Sequence, residues 1–276
     1  MNQTRFSFLG AALACVALLS PLGASATIIN LADGNSTANV DLDSQAGMYR
    51  WTVDGQNQLN QQWFWYRVGS GLQSPINMIS ASSIQYQDGN TVVAQYANSQ
   101  ITLSISYILT GGGAGNADIL ESIMVHNNTG SAINFHLFQY SDFNLLGTPG
   151  GDQVGLTGIG SGFDNAIQWK GSTQIAEAIT SPSANHGEAD NVPNTLNKLN
   201  TVSDLVLDDT KDYFDGRPAG MNAAWALQWD VSISGGADFS VFKDKKLSIE
   251  PVPEPASFAL LALGLGACRL VARRRR

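Results

Sequence analysis

The clearest signal along the chain is a two-residue alternation of apolar and polar positions. Ile101, Leu103, Ile105, Tyr107 and Leu109 fall on one side, and Thr102, Ser104, Ser106 and Thr110 on the other, the pattern of a half-buried antiparallel strand. Similar runs occupy 79–87, 91–97, 119–126, 133–140, 166–169, 174–179, 223–234 and 239–249. Clusters rich in Gly and Asn separate them, at 88–90, 111–116, 127–131, 147–151 and 235–236. Strands at this spacing predict an all-β fold, an antiparallel β-sandwich. One helix is expected over 194–207, where Leu196, Leu199, Val202 and Val206 recur at helical spacing. With no internal repeat and no Pro-rich linker, residues 27–250 are expected to form one domain.

The two ends break this pattern. At the start, Arg5 precedes an apolar run from Phe6 to Leu19, then Pro21, then Ala24-Ser25-Ala26. This is the layout of a cleavable signal peptide over 1–26, with Ala24 and Ala26 as the small residues at the cleavage site and Thr27 as the mature N-terminus. The alternatives are an N-terminal membrane anchor, for which the apolar run is short, and an acylated Cys15, for which Ala12 stands where a larger aliphatic residue is usual. At the other end, residues 251–276 contain Val252, Pro253, Glu254 and Pro255, an uncharged run from Ala256 to Cys268, and Arg269. Arg273, Arg274, Arg275 and Arg276 close the chain. A helix over about 256–272 is about 25 Å long, slightly less than a bilayer core. The terminal arginines hold its end in the cytoplasm as a membrane stop signal. Both ends then agree on one topology, with the body outside.

This tripartite tail resembles the PEP-CTERM sorting signal, in which Pro-Glu-Pro, a short membrane helix and a basic terminus are read together. The resemblance covers only the last 25 or so residues. It implies that an exosortase, an integral-membrane and cysteine-dependent transpeptidase, recognises Pro253, Glu254 and Pro255 and removes the helix. Signal peptidase and exosortase are thus the implied processing partners, with the membrane a transient one before processing. Such systems usually occur in Gram-negative bacteria that make exopolysaccharide, a further implied partner. The same tail is sometimes labelled an ice-binding protein C-terminal segment, which transfers no ice binding to the body.

Charge changes the picture once the ends are set aside. Residues 27–250 hold 9 Lys and Arg against 22 Asp and Glu, a net charge near −13, where the whole chain carries −8. Such a surface repels nucleic acid and anionic membrane. Both cysteines, Cys15 and Cys268, lie in the ends, so the body has no disulfide or cysteine metal site and depends on apolar burial and backbone pairing.

Candidate chemistry is sparse. Trp63-Phe64-Trp65-Tyr66-Arg67 puts Trp63 and Trp65 on one face of a strand. Exposed, they would make a platform for sugar rings; buried, they are core, the commoner role of aromatics. Trp225 and Trp229 share a face with Leu227 and Val231, which reads as core. His126, His136 and His186 lack metal-ligand spacing. His136 reads as a hydrogen-bonded sheet residue, and His186 as part of a solvated polar loop. Asp142 reads as an isolated acid capping a turn at a strand end. Asp208, Asp212 and Asp215 form a weak calcium candidate on an oxygen-rich loop, although Lys211 interrupts any EF-hand order; the alternative is an acidic surface turn. No catalytic residue and no cofactor are assigned.

Three functions remain open. The first is a non-catalytic envelope or matrix protein associated with exopolysaccharide or other surface proteins. The second is a secreted carbohydrate-active enzyme, which needs two acids facing a cleft. The third, an ice-binding surface protein, needs a repeated Thr-x-Thr face that the sequence lacks. The expected location is the cell envelope, surface or medium, after transient anchoring in the inner membrane.

Overall fold

The computed structural model describes residues 27–158, 160, 162–213 and 221–249. The signal peptide with Ala24 and Ala26, the sorting motif Val252 to Pro255, the expected membrane helix, Arg273 to Arg276 and Asp215 lie outside the described residues. Among the described residues no helix is long and apolar enough to cross a membrane.

The chain runs through β1 (Ile28–Asp33), β2 (Ser36–Asp41), β3 (Gly47–Val53), β4 (Gln56–Asn57), β5 (Leu59–Val68) and β6 (Ser74–Pro75). It continues with β7 (Ser83–Gln87), β8 (Thr91–Ala97), β9 (Ile101–Gly111), β10 (Asn116–Asn127), β11 (Ile133–Phe143) and β12 (Gln153–Thr157). Then follow β13 (Asn165–Lys170), β14 (Thr173–Ser181), β15 (His186–Asn191), α1 (Asn194–Thr201), β16 (Asp212–Tyr213), β17 (Ala223–Ile233) and β18 (Asp238–Ser248).

These strands form two sheets. The first has the order β1-β2-β3-β5-β11-β17-β15, with β4 beside β3 and β6 beside β5. The second has the order β16-β12-β13-β14-β18-β10-β9-β8-β7. The pairing is antiparallel except between β3 and β5. There Gly47 sits at φ +57, and a Cβ would lie 2.3 Å from the Trp63 ring.

The alternation in β9 is realised: Ile101, Leu103, Ile105, Tyr107 and Leu109 are buried against the first sheet, while the intervening Thr and Ser are partly exposed. In the first sheet, Phe135, Leu137, Gln139, Ser141 and Phe143 of β11 face inward, with Trp225, Leu227 and Trp229 of β17. Phe143 stacks on Trp225 at 5.2 Å between ring centres and meets Trp51 edge-on at 6.3 Å. Aromatic burial of this extent is the main source of stability in a body without disulfides.

The outer face of the first sheet is covered as well. Asn77, in the 3-10 turn Ile76–Met78, accepts from Trp63 Nε1 at 3.3 Å, and Asn200 of α1 accepts from Trp65 Nε1 at 3.1 Å. Both tryptophans are 0% exposed. The open stacking platform considered for Trp63 and Trp65 is therefore not formed: their outward face is covered by the 3-10 turn over Trp63 and by α1 over Trp65.

The helix is shorter than its periodicity suggested, ending at Thr201 rather than Leu207. Asn, Thr and Ser are poor helix formers. Beyond them Asp204 adopts φ +52 and its carboxylate accepts the Gly71 N–H at 2.7 Å, which turns the chain away. The expected strand over 79–87 is likewise reduced to β7, because residues 76–79 form the 3-10 turn and its cap.

Candidate functional site

The outer face of the first sheet carries a polar end that the tryptophans do not reach. Pairing places His136 of β11 opposite Asp230 of β17 and Arg67 of β5, and His186 of β15 opposite Gln228 of β17. By alternation these five side chains share one face.

Asp230 is the hub. Its Oδ1 lies 2.5 Å from His136 Nδ1, and its Oδ2 lies 3.7 Å from His186 Nε2. Gln228 Nε2 donates to both oxygens at 2.9 and 3.0 Å, while its Oε1 accepts the Leu207 N–H at 2.9 Å. His186 Nδ1 lies 3.1 Å from each oxygen of Asp209, which also accepts the Gly187 N–H. Arg67, 6% exposed, donates to the carbonyls of Gly69 and Leu205 and lies 5.7 Å from the Phe138 ring. His136 and Asp230 open onto a cleft of about 640 Å³ that Gly69, Ser70, Asn134, Val231 and Ser232 complete.

A carboxylate on Nδ1 fixes the tautomer and direction of an imidazole and leaves Nε2 to meet a ligand. Among the described residues His136 Nε2 has no partner. With Ser70, Asn134 and Ser232 on the walls, the cleft offers hydroxyl and amide donors and acceptors beside an imidazole, a group capable of moving a proton.

A second polar group lies further along the same face. Asp142 is 1% exposed, and its two oxygens accept from Asn60 at 2.8 Å and Asn222 at 3.1 Å. Burial pushes its carboxyl up to about 6, the two amides oppose this, and neighbouring Asp152 adds to it. Asp142 is thus a buried, doubly bonded acid rather than a turn cap. Glu188, also buried, accepts from Thr195 at 2.6 Å and pairs with Lys198 at 2.8 Å.

Of the calcium candidates, Asp208 is engaged by Lys198 at 3.2 Å and by the Thr210 N–H, and Asp212 is exposed in β16. Among the described residues no group of three or more acidic, His or Cys side chains could hold a metal ion. His186 lies in strand β15 and contacts Asp209, instead of standing in a solvated loop. Nothing in the local sequence links His136 to His186. The alternation of β11 does place His136 with Phe138, but Asp230 joins it through the pairing of β11 with β17, and Asp209 reaches His186 from the loop between α1 and β16, neither of which a local pattern encodes.

The architecture is that of a two-sheet sandwich found in several proteins named for carbohydrate chemistry. Aligned structures include a bacterial glucoamylase complexed with acarbose, at TM-score 0.56 and 9% identity over 84% of this chain and 32% of that one. They also include a galactose mutarotase-like protein from Lactobacillus casei, at TM-score 0.53 and 10% identity over 80% and 99%. A third is an aldose epimerase homologue from C. elegans, at TM-score 0.52 and 10% identity over 83% and 100%. This chain thus spans about a third of the glucoamylase's length, and at these identities the likeness is one of fold. No curated protein matches the sequence. Residues 251–276 match the PEP-CTERM protein-sorting motif. The chain therefore carries the sorting signal its tail resembles, which supports an exported protein of the cell envelope or surface.

Proposed function

We propose that this is an exosortase-processed envelope protein whose sandwich body binds a saccharide of the extracellular matrix in the cleft at His136. The sorting half rests on the tail. The binding half rests on one observation: Asp230 holds His136 through Nδ1 and leaves Nε2 free beside Ser70, Asn134 and Ser232. Neutral sugars are recognised by such convergent hydroxyl, amide and imidazole groups. An acidic body favours a neutral or cationic glycan over an anionic one. Export by signal peptidase, a membrane stage on the C-terminal helix and release by exosortase complete this reading.

The same imidazole–carboxylate pair favours a second reading, a carbohydrate-active enzyme in which His136 transfers a proton to or from a sugar hydroxyl. Titration calorimetry of the purified protein with neutral oligosaccharides, wild type against His136→Ala, tests the first. Binding in the wild type that weakens at least tenfold in the variant supports it. Equal binding by both chains, or none by either, refutes it. Conversion of a bound sugar, followed by NMR, would select the enzyme.

A further inference from the structure

The sandwich interior contains a group of ionisable side chains at positions where alternation calls for apolar ones. Glu121 of β10, Glu177 of β14, and Lys243 and Lys245 of the intervening β18 all point inward and are at most 2% exposed. Lys243 is the register partner of Glu121, and Lys245 of Glu177. Lys243 Nζ lies 2.6 Å from Glu121 Oε2 and 3.7 Å from Glu177 Oε1. Lys245 Nζ lies 2.5 Å from Glu121 and 3.0 Å from Glu177. The opposite sheet contributes Gln139 of β11, fully buried, whose Oε1 contacts Lys243 Nζ. Its Nε2 donates to Glu177 Oε2 at 2.7 Å and to Ser141 Oγ at 3.1 Å. The Phe64 ring lies 4.6 Å from Lys243 Nζ and helps to exclude water from it.

This arrangement has the parts of an acyl transfer: an amine against an amide carbonyl, a carboxylate on the amine and a carboxylate on the leaving nitrogen, in a dry cavity. We propose that Lys243 and Gln139 condense into an intramolecular isopeptide bond that joins β18 to β11 across the sandwich. Glu121 takes one proton from the Lys243 ammonium. The neutral Nζ attacks Gln139 Cδ, forming the Nζ–Cδ bond. Glu177 carries a second Nζ proton to Nε2 as the Cδ–Nε2 bond breaks and ammonia leaves, and the third proton remains on the new amide. Nothing is oxidised or reduced. The four buried charges become one ion pair, Lys245 with Glu177, beside a neutral Glu121, and this lowers the cost of keeping charge out of water.

The electrostatics agree with these roles. Burial holds the Lys243 amine below the usual lysine value, against the opposing pull of Glu121 and Glu177. For Glu177 burial acts upward, but Lys243 and Lys245 outweigh it and keep the carboxyl below its usual value. Glu121 Oε1 and the Tyr107 hydroxyl are buried without hydrogen-bond partners, so the group is not fully satisfied in its uncondensed form. In a body without cysteine such a bond would supply the covalent closure that disulfides give other exported proteins.

The test is peptide mapping by mass spectrometry of the chain produced with its own export signal and purified as a folded protein. The expected product is a branched peptide containing both Gln139 and Lys243, one ammonia lighter than its two parts. Lys243→Arg should abolish it. Glu177→Gln, which keeps both reacting residues, should lower its yield at least tenfold. Recovery of the two peptides from wild type separately and at full mass overturns the proposal. So does a link one water lighter to Glu121 or Glu177, or a wild-type yield in either variant. The wild-type measurement stands even if a variant fails to fold, and it is independent of whether the His136 cleft binds sugar.

Discussion

Replacing Asp142 with asparagine should change how stability depends on pH, with a sign fixed by burial. The Asp142 carboxyl has its folded value raised from 3.8 to about 6. Between those values the folded chain binds more protons than the unfolded chain, so stability falls as pH rises. The contribution is fully present below about pH 4 and is lost as pH rises through the folded value near 6. At 1.36 kcal/mol per pKa unit the loss is roughly 3 kcal/mol. In a body of this size that corresponds to a melting shift on the order of 10 °C. A side-chain amide at this position cannot titrate, so Asp142→Asn should gain on wild type by roughly this amount between pH 4 and pH 7. Asp118, whose carboxyl burial also raises, is present in both chains and cancels in the comparison, while Asp152, which adds to the shift of Asp142, keeps its own burial in the variant. Urea unfolding of both chains at the two pH values measures the change directly. A stability difference constant to within about 0.5 kcal/mol would show that Asp142 is solvated in the folded protein, and the reasoning would fail.

Gly47→Ala should destabilise the body by about 3 kcal/mol or more, since the added Cβ meets both an unfavourable φ and the Trp63 ring, and denaturant titration would reveal it. Dithiothreitol should leave the melting temperature of the processed protein unchanged, because its stretch of the sequence holds no cysteine; scanning calorimetry with and without reductant checks this. Replacing Pro253, Glu254 and Pro255 with alanines should leave export intact and block processing, so that the tailed protein accumulates in the inner membrane. Immunoblots of fractionated cells would show a size and location like wild type if the tail were an ordinary anchor.

The sandwich was legible wherever one face of a strand meets solvent, as in β9 and β10, because there polar and apolar residues alternate. In β5, β11 and β17 the strands themselves were legible, but not that both of their faces are covered, since their residues are largely apolar or aromatic on either side. β1, β2, β3, β12 and β15 were not expected: β2, β12 and β15 hold few apolar residues, and β1 and β3 lack a run long enough for the alternation to stand out. The aromatic run 63–66 was recognisable as a strand, but the cover of Trp65 comes from α1, more than a hundred residues away in sequence, and nothing local announces it. The same holds for the site. His136 and Asp230 meet because β11 and β17 are neighbours, a fact of topology. The inward lysines of β18 were visible only as polar breaks in a strand, and their partners Glu121 and Glu177 as ordinary acids.

The position of β18 bears on the order of events during export. Among the described residues it is the last strand, yet it lies in the interior of its sheet, hydrogen-bonded to β14 on one side and β10 on the other. A chain that crosses a membrane from its N-terminus delivers this strand last, so until then the second sheet is two separate pieces with open edges. In that order of delivery the second sheet closes only once residues 238–248 have crossed. A chain cut short before β18 would leave β14 and β10 without the partner they share.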